Sequence, residues 1–514
     1  MKCIKGGLVV DGTGVPGFRA DVYVEGDRII LVDRSLAAGV ESGKVVDAAG
    51  MVVCPGFIDA HTHSDLRLLS DPVHEGKIRQ GVTTELIGLD GVSYAPASDA
   101  DLAFYLRYFA PINGGFDGRP AWNEVDEYLA LFDRRVSVNV GYLLPHGNAR
   151  LRVMGHSGKQ ASPAELSEMC KVVEDGMEQG AIGISTGLVY YPCPYSDTEE
   201  LVALARVAGR RGGIFVTHMR KNSNPLASLE ETVEIARRSG TPVHISHFRP
   251  SAKKEEQYGL LERAAREGLD ISYDCYPYPS SCTALWVALP HWLLNTVAPA
   301  QFPSALAEAK TRNRLKTDMA SFNWDGAMVL HVGSDRRDLE GKSIAQLAEE
   351  RDTHPVDACC DLLIKEDLDV LCALFNSCEQ DVLDSFKSPT QMFGSDGILV
   401  GRHSHPRAFG AFARVLGKYV REEGALSLEE AIRKMTSLPA KRFNLDKRGV
   451  LAEGCFADIA VFDAKTVGDT NTFSNPWSLA TGFMSVINNG RFVIDNGRLT
   501  NETPGRVVRS QKTK

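Results

Sequence analysis

Between residues 52 and 394 short β-branched runs alternate with helical stretches, and this alternation limits the possible folds more than any other feature of the chain. A β-run, a helix and a second β-run in succession predict βα units around a parallel sheet. Eight runs qualify: Val52 to Ile58, Thr84 to Ile87, Ser137 to Gly141, Ile182 to Ser185, Ile214 to Thr217, Val243 to Ser246, Ile271 to Tyr273 and Gln391 to Gly394. The helices between them include Ser162 to Gln179, Asp197 to Arg211, Leu226 to Ser239 and Glu255 to Glu267. Eight such units predict an α/β chain built on a (β/α)8 TIM-like barrel. A doubly wound open sheet is the rival. The barrel is preferred because polar residues able to do chemistry recur after many different strands.

The two ends read differently from the middle. Ile4 to Val10, Ala20 to Val24 and Arg28 to Val32 are short strands broken by glycine turns, and Ala457 to Phe462, Ser485 to Ile487 and Arg491 to Ile494 look alike. Two β-rich ends predict one small β-sandwich made from both termini. The expected organisation is residues 1–54 as its N-terminal part, 55–447 as the barrel, and 448–514 as its C-terminal part and a tail. The stretch from Thr283 to about Glu350 is too long for one connection and is expected to be an insertion over the barrel mouth, at about 283–350.

Composition narrows the function classes. Fifty-seven basic against 66 acidic residues leave a net charge of −9, with no long run of either sign, so neither a nucleic acid nor a membrane surface is expected as partner. The eleven cysteines are scattered without a CxxC pair, and the vicinal Cys359-Cys360 lies in an apolar stretch that reads as a buried helix. Reduced thiols and a cytoplasmic location are expected. The opening MKCIKGGLVVDG holds too short an apolar run for a signal peptide.

The sharpest chemical signal is the run Phe57-Ile58-Asp59-Ala60-His61-Thr62-His63 at the end of the first barrel strand. A period of two puts His61 and His63 on one face, where both can reach one ion. Neutral imidazoles suit zinc, iron or nickel better than calcium. His218 ends the run from Ile214, His247 ends the run from Val243, and Asp396 follows Gln391 to Ser395. These five residues sit at the C-terminal ends of four strands, the face on which such barrels hold their active sites.

This constellation resembles that of the amidohydrolase superfamily. Within it the chain resembles the N-acyl-D-amino-acid deacylases (D-aminoacylases) over nearly its whole length. The matching segments are Gly187-Leu188-Val189-Tyr190, Thr217-His218-Met219-Arg220, Asp274-Cys275-Tyr276-Pro277-Tyr278, Gly394-Ser395-Asp396-Gly397, His405-Pro406-Arg407 and Met435-Thr436-Ser437-Leu438-Pro439-Ala440. One departure stands out. The deacylases carry a cysteine in a Gly-Asn-Cys-Gly turn after strand two, and here the turn reads Gly88-Leu89-Asp90-Gly91. A carboxylate can bridge two divalent ions, so Asp90 is expected to serve as ligand in its place, although an Asp-Gly pair also suits a plain turn.

The resemblance implies hydrolysis of the amide of an N-acyl-D-amino acid, a small-molecule substrate, by metal-activated water. It implies a divalent metal, zinc above all, with one or two ions per subunit. His218, His247 and the shared Asp90 would hold one ion; His61, His63 and Asp396 a second. Asp396 is expected as general base and acid. Arg407, eleven residues beyond Asp396, matches the arginine that takes the substrate carboxylate, and Tyr190 and Tyr276 match tyrosines lining the substrate pocket. The alternatives are a cyclic-amide hydrolase of the dihydroorotase or hydantoinase kind and a non-catalytic scaffold. The first commonly needs a carboxylated lysine, and the end of strand four, Ile184-Ser185-Thr186-Gly187, holds none; the second is disfavoured by the intact ligand set. His244 is expected to be packed under the helices, and His146 to lie near the site or simply be buried. His403 and His405 are expected to be solvated, and Cys54 to be a small buried residue. Trp286, Trp292 and Leu285 are expected to line an apolar entrance or form the core of the insertion. Oligomeric state is not legible.

Overall fold

The computed structural model describes residues 1–514 apart from 36–42, 117, 119, 222–223, 251 and 510–514, so the last residues of the expected tail lie outside the described residues. Eight parallel strands run in order around the barrel: β1 (Phe57–Asp59), β2 (Val82–Ile87), β3 (Asn139–Pro145), β4 (Gly183–Gly187), β5 (Ile214–His218), β6 (Val243–Ile245), β7 (Ile271–Cys275) and β8 (Gln391–Phe393). Closure between β8 and β1 is made above the strands proper. Ala60 N donates to Phe393 O at 3.4 Å, and Thr62–His63 pairs in parallel with Gly397–Ile398. The seam is therefore zipped by the segments that carry His61, His63 and Asp396.

The barrel lumen is filled, not open. Ile58, Leu86, Leu143, Ile182, Ile214, Val216 and Met392 meet inside it, with Phe443 and Leu445 from the segment after the barrel among them. The outer helices follow from local signals. Ser162 caps Pro163–Gln179 in a reciprocal arrangement with Glu165, and Asp197 caps Thr198–Arg210 through Glu200 N. Helices Pro225–Ser239 and Lys254–Arg266 complete the ring on this side, close to the boundaries expected from sequence.

Both termini contribute to one nine-stranded sheet, in which Val52–Pro55 lies parallel to Lys2–Val9 and antiparallel to Ile459–Phe462. The sheet curls until Ile29 N reaches Cys455 O at 2.9 Å and Gly454 N reaches Ile29 O at 2.8 Å, enclosing Ile4, Val22, Val53, Ile459 and Ile487. The run read as one strand from Val52 to Ile58 is divided at Gly56. Gly56 N donates to Asp458 O in the terminal sheet, and Phe57 N donates to Gly81 O in the barrel, both at 2.9 Å. The final described strand, Val507–Val508, leaves that sheet and pairs with β3.

The insertion between β7 and β8 is larger than the 283–350 read from sequence. It contains a three-stranded antiparallel sheet in the order Ser281–Ala284, Val370–Leu374, Ala327–Val332. Val370–Leu374 is the central strand of that sheet, so its partners lie far away in the chain and local pattern gives no sign of them. Cys359 and Cys360 are buried in helix Pro355–Lys365 as expected. Among the described residues no helix is long and apolar enough to cross a membrane.

Candidate metal centre

His61, His63, Asp90, His218, His247 and Asp396 converge at the C-terminal rim of the barrel. Asp90 is central. Its carboxylate lies 3.8 Å from His61 Nε2 and 3.8 Å from His63 Nε2 on one side, and 3.4 Å from His218 Nδ1 and 3.9 Å from His247 Nε2 on the other. Two ligand sets result, His61–His63–Asp90 and Asp90–His218–His247, each with its donor atoms within 4.8 Å of one another. Asp396 joins the first set at 3.7 Å from His61 Nε2 and 3.2 Å from His63 Nε2.

The backbone is bent to bring these groups inward. Asp90, His247 and Asp396 have left-handed φ values of 57°, 35° and 47°, conformations that cost a non-glycine residue roughly 1–3 kcal/mol and persist only where surrounding contacts enforce them. The enforcing contacts are visible. In the turn after β2, Gly88 has φ 77°, and a Cβ there would strike Leu143 O at 2.2 Å. Ser185 on β4 donates to Gly88 O and accepts from Gly91 N, and Asp65 accepts from Gly88 N at 3.1 Å. The Asp396 turn is fixed from beneath. Asp59 accepts from Ser395 N at 2.8 Å and from the Lys77 amino group at 2.6 Å, and Lys77 is itself paired with Glu85.

The electrostatics match a cation-binding site. Burial disfavours charge on His61, but Asp274, Asp90 and Asp396 overcome it and push the imidazole up to about 10. Burial likewise opposes ionisation of Asp90 and Asp396; nearby His218 holds the first well below the usual carboxylate range, and Arg407 the second. His61 Nε2, Asp90 Oδ1 and His218 Nδ1 are buried polar atoms without a hydrogen-bond partner, as expected of atoms whose partner is a metal ion. Imidazole and carboxylate donors suit zinc. The residues present fit one or two divalent ions.

Other expected residues fall into place unevenly. Tyr190 is buried with its ring 5.3 Å from that of His218, and Tyr276 is buried between two cations, Arg249 at 4.7 Å and Arg407 at 4.5 Å from its ring centre. Arg407 is fully buried, its Nη1 2.9 Å from Asp396 Oδ2 and its Nη2 donating to Cys282 O at 2.9 Å, while its Nε has no partner. A cavity of about 290 Å³ opens beside His218 and His247, lined also by Lys221, Ser246, Phe248 and Arg249.

Two expectations are corrected, those for His244 and His405, and residues left open by the sequence are placed. His244 is not under the helices: its ring lies 5.3 Å from that of Phe443 in the lumen, and its Nε2 is 2.9 Å from Asp274 Oδ2. His405 is not solvated but buried, its Nε2 2.9 Å from Ser280 Oγ and its Nδ1 accepting from Arg407 N. His146 is a satisfied buried residue held between Thr186 Oγ1 at 2.8 Å and Glu200 Oε1 at 2.7 Å. Trp286 joins the metal rim to the insertion, stacked on Tyr108 at 5.0 Å and edge-to-face with Tyr190 at 5.9 Å, whereas Trp292 donates to Asp318 on the outside of the insertion. Arg249 and Asp274 escaped the sequence reading. Arg249 lies two residues past His247, and Asp274 opens a segment already noted for its tyrosines; proximity to those motifs was the available signal.

Family comparison settles the class. The amidohydrolase family model matches residues 44–298 and 387–494. The chain belongs to the amidohydrolase family. An N-acyl-D-glutamate deacylase and a D-aminoacylase, both from Alcaligenes xylosoxydans xylosoxydans, are 34% and 35% identical to it, each alignment covering 98% of this chain and 96% of the relative. A crystal structure of N-acyl-D-glutamate deacylase from Bordetella bronchiseptica, complexed with zinc and a phosphonate mimic of the tetrahedral intermediate, superposes with a TM-score of 0.84 at 31% identity, covering 99% of both chains. The (β/α)8 barrel with its attached sheet is thus this family member's fold, and its strand-two turn carries Asp90.

Proposed function

We propose that this amidohydrolase removes the acyl group from N-acyl-D-amino acids. The observation that carries the reading is the pair of histidine sets joined by Asp90, in a chain similar over nearly its full length to N-acyl-D-amino-acid deacylases. His218, His247 and Asp90 would hold one zinc ion, and His61, His63 and Asp396 a second that also shares Asp90. A bound divalent ion supplies Lewis-acid polarisation of the scissile carbonyl and acidifies water.

The chain's own residues do the rest. Asp396 is the general base and then the acid: it accepts the proton of the attacking water on a carboxylate oxygen and returns it to the leaving nitrogen as the C–N bond breaks. Arg407 keeps Asp396 ionised through the 2.9 Å pair and has its Nε free for the substrate carboxylate. Arg249, whose Nη2 is 3.3 Å from the Tyr276 hydroxyl, faces the same place from the cavity side and completes a two-cation seat for that carboxylate. Tyr190 packs edge-on against His218 and steadies that imidazole at the rim. The stereochemical preference rests on the relatives.

A cyclic-amide hydrolase with a carboxylated lysine bridge finds no support at the end of β4, where Ser185 is spent on the Gly88 turn. The test is a hydrolysis screen of N-acetyl amino acids of both configurations, hydantoins and dihydroorotate, with defined added metals. Turnover of N-acetyl-D-amino acids alone supports the reading. Turnover confined to the cyclic amides, or none with any metal, overturns it.

A further inference from the structure

Asp274 is fully buried near the C-terminal end of β7, and its two oxygens serve different halves of the metal centre. Oδ1 accepts the backbone N–H of His247 at 2.9 Å. Oδ2 lies 2.9 Å from His244 Nε2 and 3.5 Å from His61 Nδ1, the latter an electrostatic contact longer than a hydrogen bond. His244 is anchored in turn, its Nδ1 2.8 Å from Ser272 Oγ. The close approach of Asp274 to His61 depends on Gly394, where a Cβ would lie 2.7 Å from His61 Cβ and 3.0 Å from Asp274 Oδ1.

We propose that Asp274 is a positioning residue that readies both ligand sets at once, by fixing the tautomer of His61 and the strained backbone of His247. A carboxylate facing Nδ1 favours a proton there, so the proton that an incoming ion displaces is the one on Nε2, the nitrogen facing Asp90 and Asp396. The same side chain, through Oδ1, holds the His247 amide in the turn where φ is 35° and so aims the imidazole at Asp90. His244 keeps Oδ2 from rotating away from His61. Because one side chain touches a residue of each set, its loss perturbs both. This inference rests on the metal-centre part of the proposed function and not on the identity of the substrate.

The test is zinc affinity of the full-length apoprotein, measured by competition with a chromophoric chelator, beside the Tm of the same apoprotein. Asp274→Asn preserves shape. With its Oδ1 still on the His247 amide, its Nδ2 faces His61 and His244 as a donor, which pushes the His61 proton onto Nε2 and blocks the metal-facing nitrogen. The expected result is a zinc Kd raised about 10–100-fold, the usual effect of removing such a partner of a metal-binding histidine. Wild-type zinc affinity in folded Asp274→Asn overturns the proposal, and so does a lowered Tm with unchanged affinity, which would mark a merely structural residue. If Asp274→Asn does not fold, His244→Gln decides: weaker zinc binding supports the proposal and unchanged binding overturns it. A wild-type protein that binds no zinc removes the centre itself, a failure distinct from loss of the Asp274 role.

Discussion

His61 and His63 are closed off from solvent, with 0% and 3% of their side chains exposed, whereas His218 and His247 are 19% and 20% exposed and border the cavity. The closed half sits in the barrel seam, braced by Asp274 and by the buried Asp59–Lys77–Glu85 chain. The open half stands on the free ends of β5 and β6, beside Lys221 and Arg249. The difference is one of access: one set is shut inside the barrel seam and the other borders the cavity, with Asp90 facing both.

Removing the shared group is the harshest way to break this comparison. Asp90→Ala should abolish metal binding by both halves and lower kcat/KM by ~10³-fold or more, since metal polarisation is worth several kcal/mol in the transition state. Asp90→Cys, which restores the family's turn residue, should regain zinc. Zinc titration of the two variants checks both statements. Asp396→Asn acts on the closed half alone. It keeps shape but removes the base, so kcat should fall at least ~10²-fold; turnover within a few-fold of wild type would end that assignment. Arg407→Lys keeps charge but loses the fork, and steady-state kinetics should show KM raised about tenfold with a smaller change in kcat.

An effect on stability and not on turnover sharpens the comparison under the open half. His146 lies behind β4, and although burial alone would lower it, Cys193 and Glu200 raise it to about 9. A histidine raised on folding adds stability that is fully present below its unfolded value near 6.5 and is lost as pH climbs through about 9. His146→Gln should therefore cost ~3 kcal/mol near pH 6 and much less near pH 10, read from urea unfolding at the two pH values. An equal loss at both would mean that His146 works by packing alone.

Sequence pattern reached unequal depths in these regions. The period-two spacing of His61 and His63 is local, and it placed both in the site without knowledge of the fold. His244 shows where parity fails. Strand β6 ends at Ile245, and His247 itself sits in a left-handed bend beyond that end, so counting from one histidine to the other across the strand end gives the wrong face. The segment that Asp274 opens is legible but the role of Asp274 is not: its partners His61 and His244 come from other strands, and only barrel closure brings them to one carboxylate. The insertion was under-read because Val370–Leu374 pairs with Ser281–Ala284, a strand far back in the chain. Asp90 was found through the family's turn, not through its own chemistry.

The most direct measurement is anomalous diffraction at the zinc edge from crystals grown with zinc. Zinc density within about 2.0–2.2 Å of an Asp90 oxygen, with nitrogens of at least one histidine set completing the coordination, is the expected result. Density absent from that rim, or zinc bound with Asp90 turned away from it, would contradict the shared-carboxylate centre.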